Sequence, residues 1–362
     1  MNNYRPTWAE INLDALWYNI EYARKHLKKQ EIIPVIKANA YGHGAIPVFE
    51  FLIKKGIKCF AVSLLEEALE LRAINKDVKI LMMGAILKED LKIASINHID
   101  VTIYSTEILK EMVEEHIFLK VHLKIDSGMN RYGIKDLNEI KQAIEVIEHN
   151  PHLFFEGIYS HFATANENET YYKMQLNFMK DLLSQMKKKP PMIHISNSSS
   201  TLKYEKDYDF TTHIRYGISL YGLSLDDPKP DLKPVMSLKS KVVQIKDLKA
   251  GESLGYGASY QAKKDEKIAI LPIGYADGFI RKNKNGSVEI NNKLYKIKGI
   301  ICMDACFIKI DETVKVGDIA TLFGGLISID DIAKRLDTIN YEVTCQVSYR
   351  VRRIYIEGGL YD

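Results

Sequence analysis

The chain has 362 residues, 46% hydrophobic and 27% charged, with 50 basic against 47 acidic side chains for a net charge of +3. That length exceeds one ordinary domain and fits a large barrel or two domains; we expect two. No apolar run approaches the ~18 residues of a membrane span, the lysines form no nucleic-acid patch, and the start MNNYRPTWAEINLDAL lacks an export-signal pattern. The expectation is a cytoplasmic protein with neither a membrane nor a nucleic-acid partner. Cysteines 59, 302, 306 and 345 form no CxxC pair, so reduced thiols and no metal site are expected.

In chain order, eight strand-like runs alternate with amphipathic stretches: IIPVIK (32–37), CFAVSL (59–64), KILMMG (79–84), DVTIYS (100–105), LKVHLKID (119–126), FFEGIYSHF (154–162), MIHISNS (192–198) and HIRYG (213–217). Between them LLEEALELRAIN, TEILKEMVEEH, LNEIKQAIEVIEH and YYKMQLNFMKDLLSQMKKK carry apolar residues at three- and four-residue spacing. Eight such units argue for a (β/α)₈ barrel over residues 1–235. After the proline-bearing segment DDPKPDLKPV (226–235), short alternating runs punctuated by Gly and Asn-Asn predict a mainly β domain over 236–362, with one short helix, IDDIAKRL (329–336).

In a barrel, chemistry collects where strands end. Lys37 ends the first strand, Lys124 and Asp126 the fifth, His161 the sixth, Asn197 and Ser198 the seventh and Arg215 the eighth, while Arg131 lies in the glycine-bounded loop SGMNRYG. Each taken singly reads first as a salt bridge or a capped loop; several in register are harder to dismiss. Lys37 has two readings: a stem that snorkels from the barrel mouth, or an amine whose pKa partial burial lowers until it attacks an aldehyde. A phosphate on that aldehyde compound would need a rim of backbone donors and hydroxyls. SNSSS (196–200) and RYGI (215–218) supply one, though a serine cluster alone reads as a helix cap.

The motifs VIKANAYGHG, KIDSGMNRYG, SHFATA, SNSSS, RYGISLYG, LGYGASY, LPIGYADG, CMD and SYRVRR, in this order from about residue 8 to 353, resemble the alanine racemase family. The resemblance implies a barrel that binds pyridoxal 5′-phosphate, a mainly β domain after it, a homodimer that shares its active sites, and interconversion of L- and D-alanine for peptidoglycan. It makes Lys37 the cofactor-bearing lysine and one catalytic base. Tyr256 becomes the second base, reaching the partner's site with Met303 and Tyr275, which line the substrate pocket. Tyr41, Ser198, the backbone of Gly217 and Ile218, and Tyr349 would hold the phosphate. Arg215 would face the pyridine nitrogen, Arg131 the substrate carboxylate, and His161 with Arg215 would support the phenol of Tyr256. Lys124 matches a position often N-carboxylated in the family, the carbamate then orienting Arg131. Arg352 stands where the family commonly has proline, and Ser199 and Ser200 where it commonly has alanine-rich residues. Rival readings are a racemase of serine or another amino acid, a decarboxylase of the same architecture, and a non-catalytic cofactor carrier.

Overall fold

The computed structural model describes residues 4–165 and 167–358. The described residues fold as two compact units, one of Trp17–Ala40 and Ala45–Leu232, the other of those up to Leu16, Tyr41–Gly44 and those from Lys233.

The first unit holds the eight expected strands: β2 (Glu31–Pro34), β3 (Cys59–Val62), β4 (Lys79–Met82), β5 (Val101–Ile103), β6 (Leu119–Lys124), β7 (Leu153–Tyr159), β8 (Met192–His194) and β9 (His213–Tyr216), where β1 is an N-terminal strand, Thr7–Asn12, of the other unit. Parallel pairing joins β3 to β4 and runs from β5 through β8. Bridges Val35–Ala61 and Leu81–Asp100 join the intervening neighbours, and the Thr212 amide donates to the Ile193 carbonyl at 3.0 Å between the last two strands. Pairing of β9 with β2 closes the ring. Helices cover it for the reason their spacing suggested. In the helix Leu137–His149, Asp136 caps the first turn by accepting from the amides of Asn138 and Glu139, and Ile140, Ala143 and Ile147 are buried along one stripe. Each such isoleucine contributes roughly 1.5–3 kcal/mol on burial.

The second unit is a nine-stranded sheet with a two-stranded ribbon. Its strands are β10 (Met236–Lys241), β11 (Gln244–Leu248), β12 (Ser253–Leu254), β13 (Tyr260–Gln261), β14 (Glu266–Leu271), β15 (Ser287–Ile290), β16 (Lys293–Lys298), β17 (Cys306–Ile310), β18 (Ile319–Phe323) and β19 (Arg352–Ile356). The sheet order is β11-β14-β17-β16-β15-β18-β10-β1-β19, and β12 pairs β13. The helix Ile329–Leu336 forms as expected, capped by Ser328, and a second, Asn340–Cys345, follows it. Strand β1 is unanticipated: it pairs β10 antiparallel and β19 parallel, partners more than 200 residues away, so no local pattern announces it. No helix among the described residues is long and apolar enough to cross a membrane.

Candidate active site

Within the barrel unit the reactive residues gather at the strand ends. Lys37 follows β2 and opens a turn of unusual backbone: Ala38, Asn39, Ala40 and Tyr41 all have φ between 51° and 54°, the left-handed region. For residues with a Cβ this conformation costs roughly 1–2 kcal/mol each, and it persists only where neighbours over-determine it. They do so here. The Ala38 amide donates to Glu67 Oε1 at 2.5 Å, the Ala40 amide to the Ile36 carbonyl at 2.9 Å and the Ala45 amide to Asn39 Oδ1 at 2.7 Å, while Glu67 Oε2 accepts from the amides of Ser63 and Leu64. The lysine therefore springs from a backbone fixed on both sides.

Lys124, at the end of β6, is buried, with its ammonium 5.3 Å from the Tyr159 ring and 5.5 Å from that of Tyr132. Burial, then the cations Arg215 and Arg131, pull its pKa down to about 7, with Lys37 acting in the same direction. Arg131 is exposed in the following loop. That loop is held by Asp126, which accepts from the amides of Gly128 and Asn130, and by the Tyr171 hydroxyl donating to the Gly128 carbonyl at 2.7 Å.

Arg215 is 3% exposed. Nη1 donates to His194 Nδ1 at 2.8 Å and to the His194 carbonyl at 2.6 Å. Nη2 donates to the Ser160 carbonyl at 2.7 Å, the Ile195 carbonyl at 3.3 Å and His161 Nδ1 at 3.2 Å. A guanidinium only donates, so His161 Nδ1 is bare. Loss of water around the ring, then Arg215 and Arg131, hold that imidazole well below its ordinary range, which leaves it neutral with its proton on Nε2.

Ser198 begins the helix Ser198–Lys203, capped by Asn197, and its buried Oγ accepts from the amides of Gly217 at 3.0 Å and Ser219 at 3.3 Å. The Ile218 amide between them finds no acceptor among the described residues, although Ile218 is buried. The departure at Ser200 has a structural use, because it completes the capping box with Asn197.

The remaining candidates lie in the second unit. Tyr41 is buried there, its ring 6.2 Å from that of Tyr341. Arg353, the last residue of SYRVRR, fastens this segment by donating to the Gly42 carbonyl from Nε at 3.0 Å and Nη2 at 2.9 Å. Gly42 itself tolerates no side chain, since a Cβ would lie 2.1 Å from the Thr344 carbonyl oxygen. The turn carrying Tyr275 is tied to the loop carrying Met303: the amides of Tyr275 and Ala276 donate to the carbonyls of Cys302 and Met303 at 3.0 and 3.1 Å. Tyr256 stands in a glycine turn, with Gly255 at φ 71° and Gly257 at φ 66°. Tyr256, Met303, Tyr275 and Tyr349 all expose their side chains; Tyr256 is 71% and Tyr349 93% exposed. Arg352 opens β19 and is exposed, so its departure from proline leaves the strand pairing intact.

Three residues escaped the sequence reading: His122, His194 and Asp100, all buried in the barrel interior. A signal existed for one. His122 and Lys124 are two apart in a strand and share the inward face.

The barrel ends thus combine a concentration of cations, an amine whose pKa burial lowers to about 7, and a pocket of hydroxyl and amide donors. Such a set binds anionic groups and moves protons. Comparison with known proteins agrees. Residues 11–225 match the family model described as alanine racemase, N-terminal domain, and residues 235–355 match alanine racemase, C-terminal domain. An alanine racemase of Anoxybacillus flavithermus is 40% identical, the match covering 98% of this chain and 96% of the relative. The crystal structure of alanine racemase from E. faecalis superposes with a TM-score of 0.93 at 34% identity, covering 97% of this chain and 98% of that one. A histidine racemase from Leuconostoc mesenteroides gives a TM-score of 0.92 at 28% identity, covering 98% and 99%.

Proposed function

The chain belongs to the alanine racemase family, and from that premise we propose how its own residues divide the work of exchanging L- and D-alanine. It is an alanine racemase, an isomerase that uses pyridoxal 5′-phosphate, and the family's general role is to supply D-alanine for peptidoglycan. The residues fit that cofactor. Ser198 Oγ already accepts two amide bonds, so its proton is left to donate, and the Ile218 amide beside it is a buried donor awaiting an acceptor, as a phosphate oxygen is. Gly217, Tyr41 and Tyr349 complete our assignment of the phosphate holders.

Lys37 Nζ would hold the cofactor between turnovers and be a free amine while substrate occupies it. Pyridoxal phosphate, when bound, supplies an electron sink that acidifies the α-hydrogen of the amino acid. Exchange of configuration needs a proton removed from one face and returned to the other, so two bases on opposite faces serve it. Lys37 Nζ takes the α-hydrogen of D-alanine, and Tyr256 Oη of a second copy takes that of L-alanine, each delivering the proton when the other removes it. The exposure of Tyr256, Met303 and Tyr275 supports a homodimer in which these three reach a partner's site. A phenol with an ordinary pKa of ~10 is a poor base. His161, with Nε2–H as its one proton, donates toward that phenolic oxygen and favours its ionised form, and Arg215 behind it adds positive charge.

Among the described residues, five hydrogen bonds leave Arg215 through Nη1 and Nη2 and none through Nε, which is the donor we assign to the pyridine nitrogen. A permanent cation there disfavours protonation of the ring and so restrains the electron sink, limiting side reactions. Arg131 holds the substrate carboxylate. Carbon dioxide combines only with a neutral amine, so a Lys124 pKa of about 7 favours a carbamate, whose oxygens would pair Arg131 and relieve the crowding of cations. We place the enzyme in the cytoplasm and its working division at residue 235.

The observation that carries this reading is the pairing of a lysine on a fixed left-handed turn with a donor-lined pocket at the last two strand ends. Its test is a chiral amino-acid assay of the purified protein, with and without pyridoxal phosphate, against a panel of L-amino acids. D-alanine should accumulate fastest and only with cofactor. The likeness to a histidine racemase favours one second reading, a racemase of another amino acid, which faster conversion of histidine or serine would establish in place of the first.

A further inference from the structure

The barrel interior holds polar groups that the reaction as described leaves unused, and they stand in line. Arg215, buried, has no carboxylate among its hydrogen-bond partners in the described residues. Because a guanidinium only donates, His194 Nδ1, 2.8 Å away, must be bare. Burial, then Arg215, holds the His194 imidazole well below its ordinary range, so the ring is neutral and its proton sits on Nε2. That proton faces His122 Nδ1 at 3.1 Å, which therefore accepts. The proton of His122 in turn sits on Nε2 and faces Asp100 Oδ2 at 3.4 Å, the longest link. None of the four side chains is more than 3% exposed.

The surroundings fix the two rings. Tyr159 stacks on His194 with centroids 4.7 Å apart and planes 12° from parallel, and its hydroxyl meets Thr102 Oγ1 at 2.9 Å. Gly157 in β7 makes room for His122: a Cβ there would lie 2.2 Å from Nδ1. At the far end Arg72 and Lys79 add positive charge around Asp100, which also borders a cavity of about 170 Å³ with Ser95, His98 and Lys120.

We propose that Asp100 and His122 are positioning residues for Arg215: through two imidazoles polarised in one direction, the Asp100 carboxylate strengthens His194 Nδ1 as an acceptor and holds the guanidinium in place. Hydrogen bonds in such a chain reinforce one another. A buried cation without a carboxylate of its own is thereby given one at two removes. This rests on the reading of Arg215 as the cation facing the pyridine nitrogen.

The test is nitrogen-15 NMR of histidine-labelled holoenzyme, which reads each ring's tautomer without turnover. His122 and His194 should both be Nε2–H forms. In Asp100→Asn, which keeps the shape and removes the charge, the His194 Nδ1 resonance should move and kcat should fall about tenfold, with KM changed less than about twofold. An Nδ1–H form or an imidazolium at either ring of the unmodified enzyme overturns the proposal, as does an Asp100→Asn enzyme with resonance and kcat both unmoved. Should the variant fail to fold, the tautomers of the unmodified enzyme still decide. Wrong tautomers in an active alanine racemase sink the relay alone; correct tautomers in a protein that leaves alanine unchanged sink the functional reading alone.

Discussion

Arg215 and Tyr256 stand at opposite extremes of constraint. The arginine, in the barrel unit, is 3% exposed and makes five hydrogen bonds; the tyrosine, in the sheet unit, is 71% exposed and stands on a turn of glycines. The contrast extends to their neighbours. Lys124, Ser198 and His194 are buried among partners, whereas Met303, Tyr275 and Tyr349 project outward. One unit thus builds a pre-organised, charged floor from its own chain. The other presents aromatic and apolar side chains to solvent, which agrees with our proposal that they serve a second copy.

Variants can break that contrast. The largest effect belongs to Lys37→Ala, which should abolish covalent attachment of pyridoxal phosphate, read from its absorption spectrum, and cut racemisation by more than about 10³-fold. A variant that keeps the spectrum would remove the barrel from its role. Tyr256→Phe should cost about 10²–10⁴-fold in kcat while leaving the cofactor spectrum in place. Mixing inactive Lys37→Ala and Tyr256→Phe proteins should then restore some activity through hybrid dimers, and no recovery would argue that each copy uses its own tyrosine.

The smallest effect concerns Lys124, whose pKa falls from the ordinary 10.5 to about 7 in the fold. Below pH 7 the lysine is protonated in both states, and the folded chain bears the full burden of a buried cation. Between pH 7 and 10.5 the unfolded chain binds a proton that the folded one does not, so stability rises with pH in that window. In buffer free of carbon dioxide, Lys124→Met should therefore melt above the parent at pH 6, and the gap should narrow toward pH 10. Labelled bicarbonate should give the parent, and not the variant, a carbamate carbon resonance; equal melting curves and no resonance would refute both statements.

The barrel was legible because each of its strands is a short apolar run separated from the next by a helix-period stretch, and these patterns are local. The helix Leu137–His149 formed on the residues its spacing indicated. The collection of Lys37, Lys124, His161, Ser198 and Arg215 at strand ends followed from the same count. What escaped was non-local or without a compositional mark. The left-handed turn after Lys37 uses alanine, asparagine and tyrosine rather than glycine, so no residue type betrayed it. The line from Asp100, just ahead of β5, through His122 in β6 to His194 in β8 links residues far apart in sequence that meet only in the folded barrel.

Strand β1 carries a consequence for biosynthesis. It pairs Trp8 with Arg352, so a segment bonds with one made more than 300 residues after it. Until residue 356 has emerged, β1 has an unpartnered edge, and translation at ~5–20 residues per second leaves it waiting for tens of seconds. The barrel's strands, by contrast, find most of their neighbours within a few dozen residues. A slow, late stage of maturation should accordingly lie in the sheet, and a bulky fusion placed just ahead of Thr7 should delay it more than the same fusion in a barrel loop.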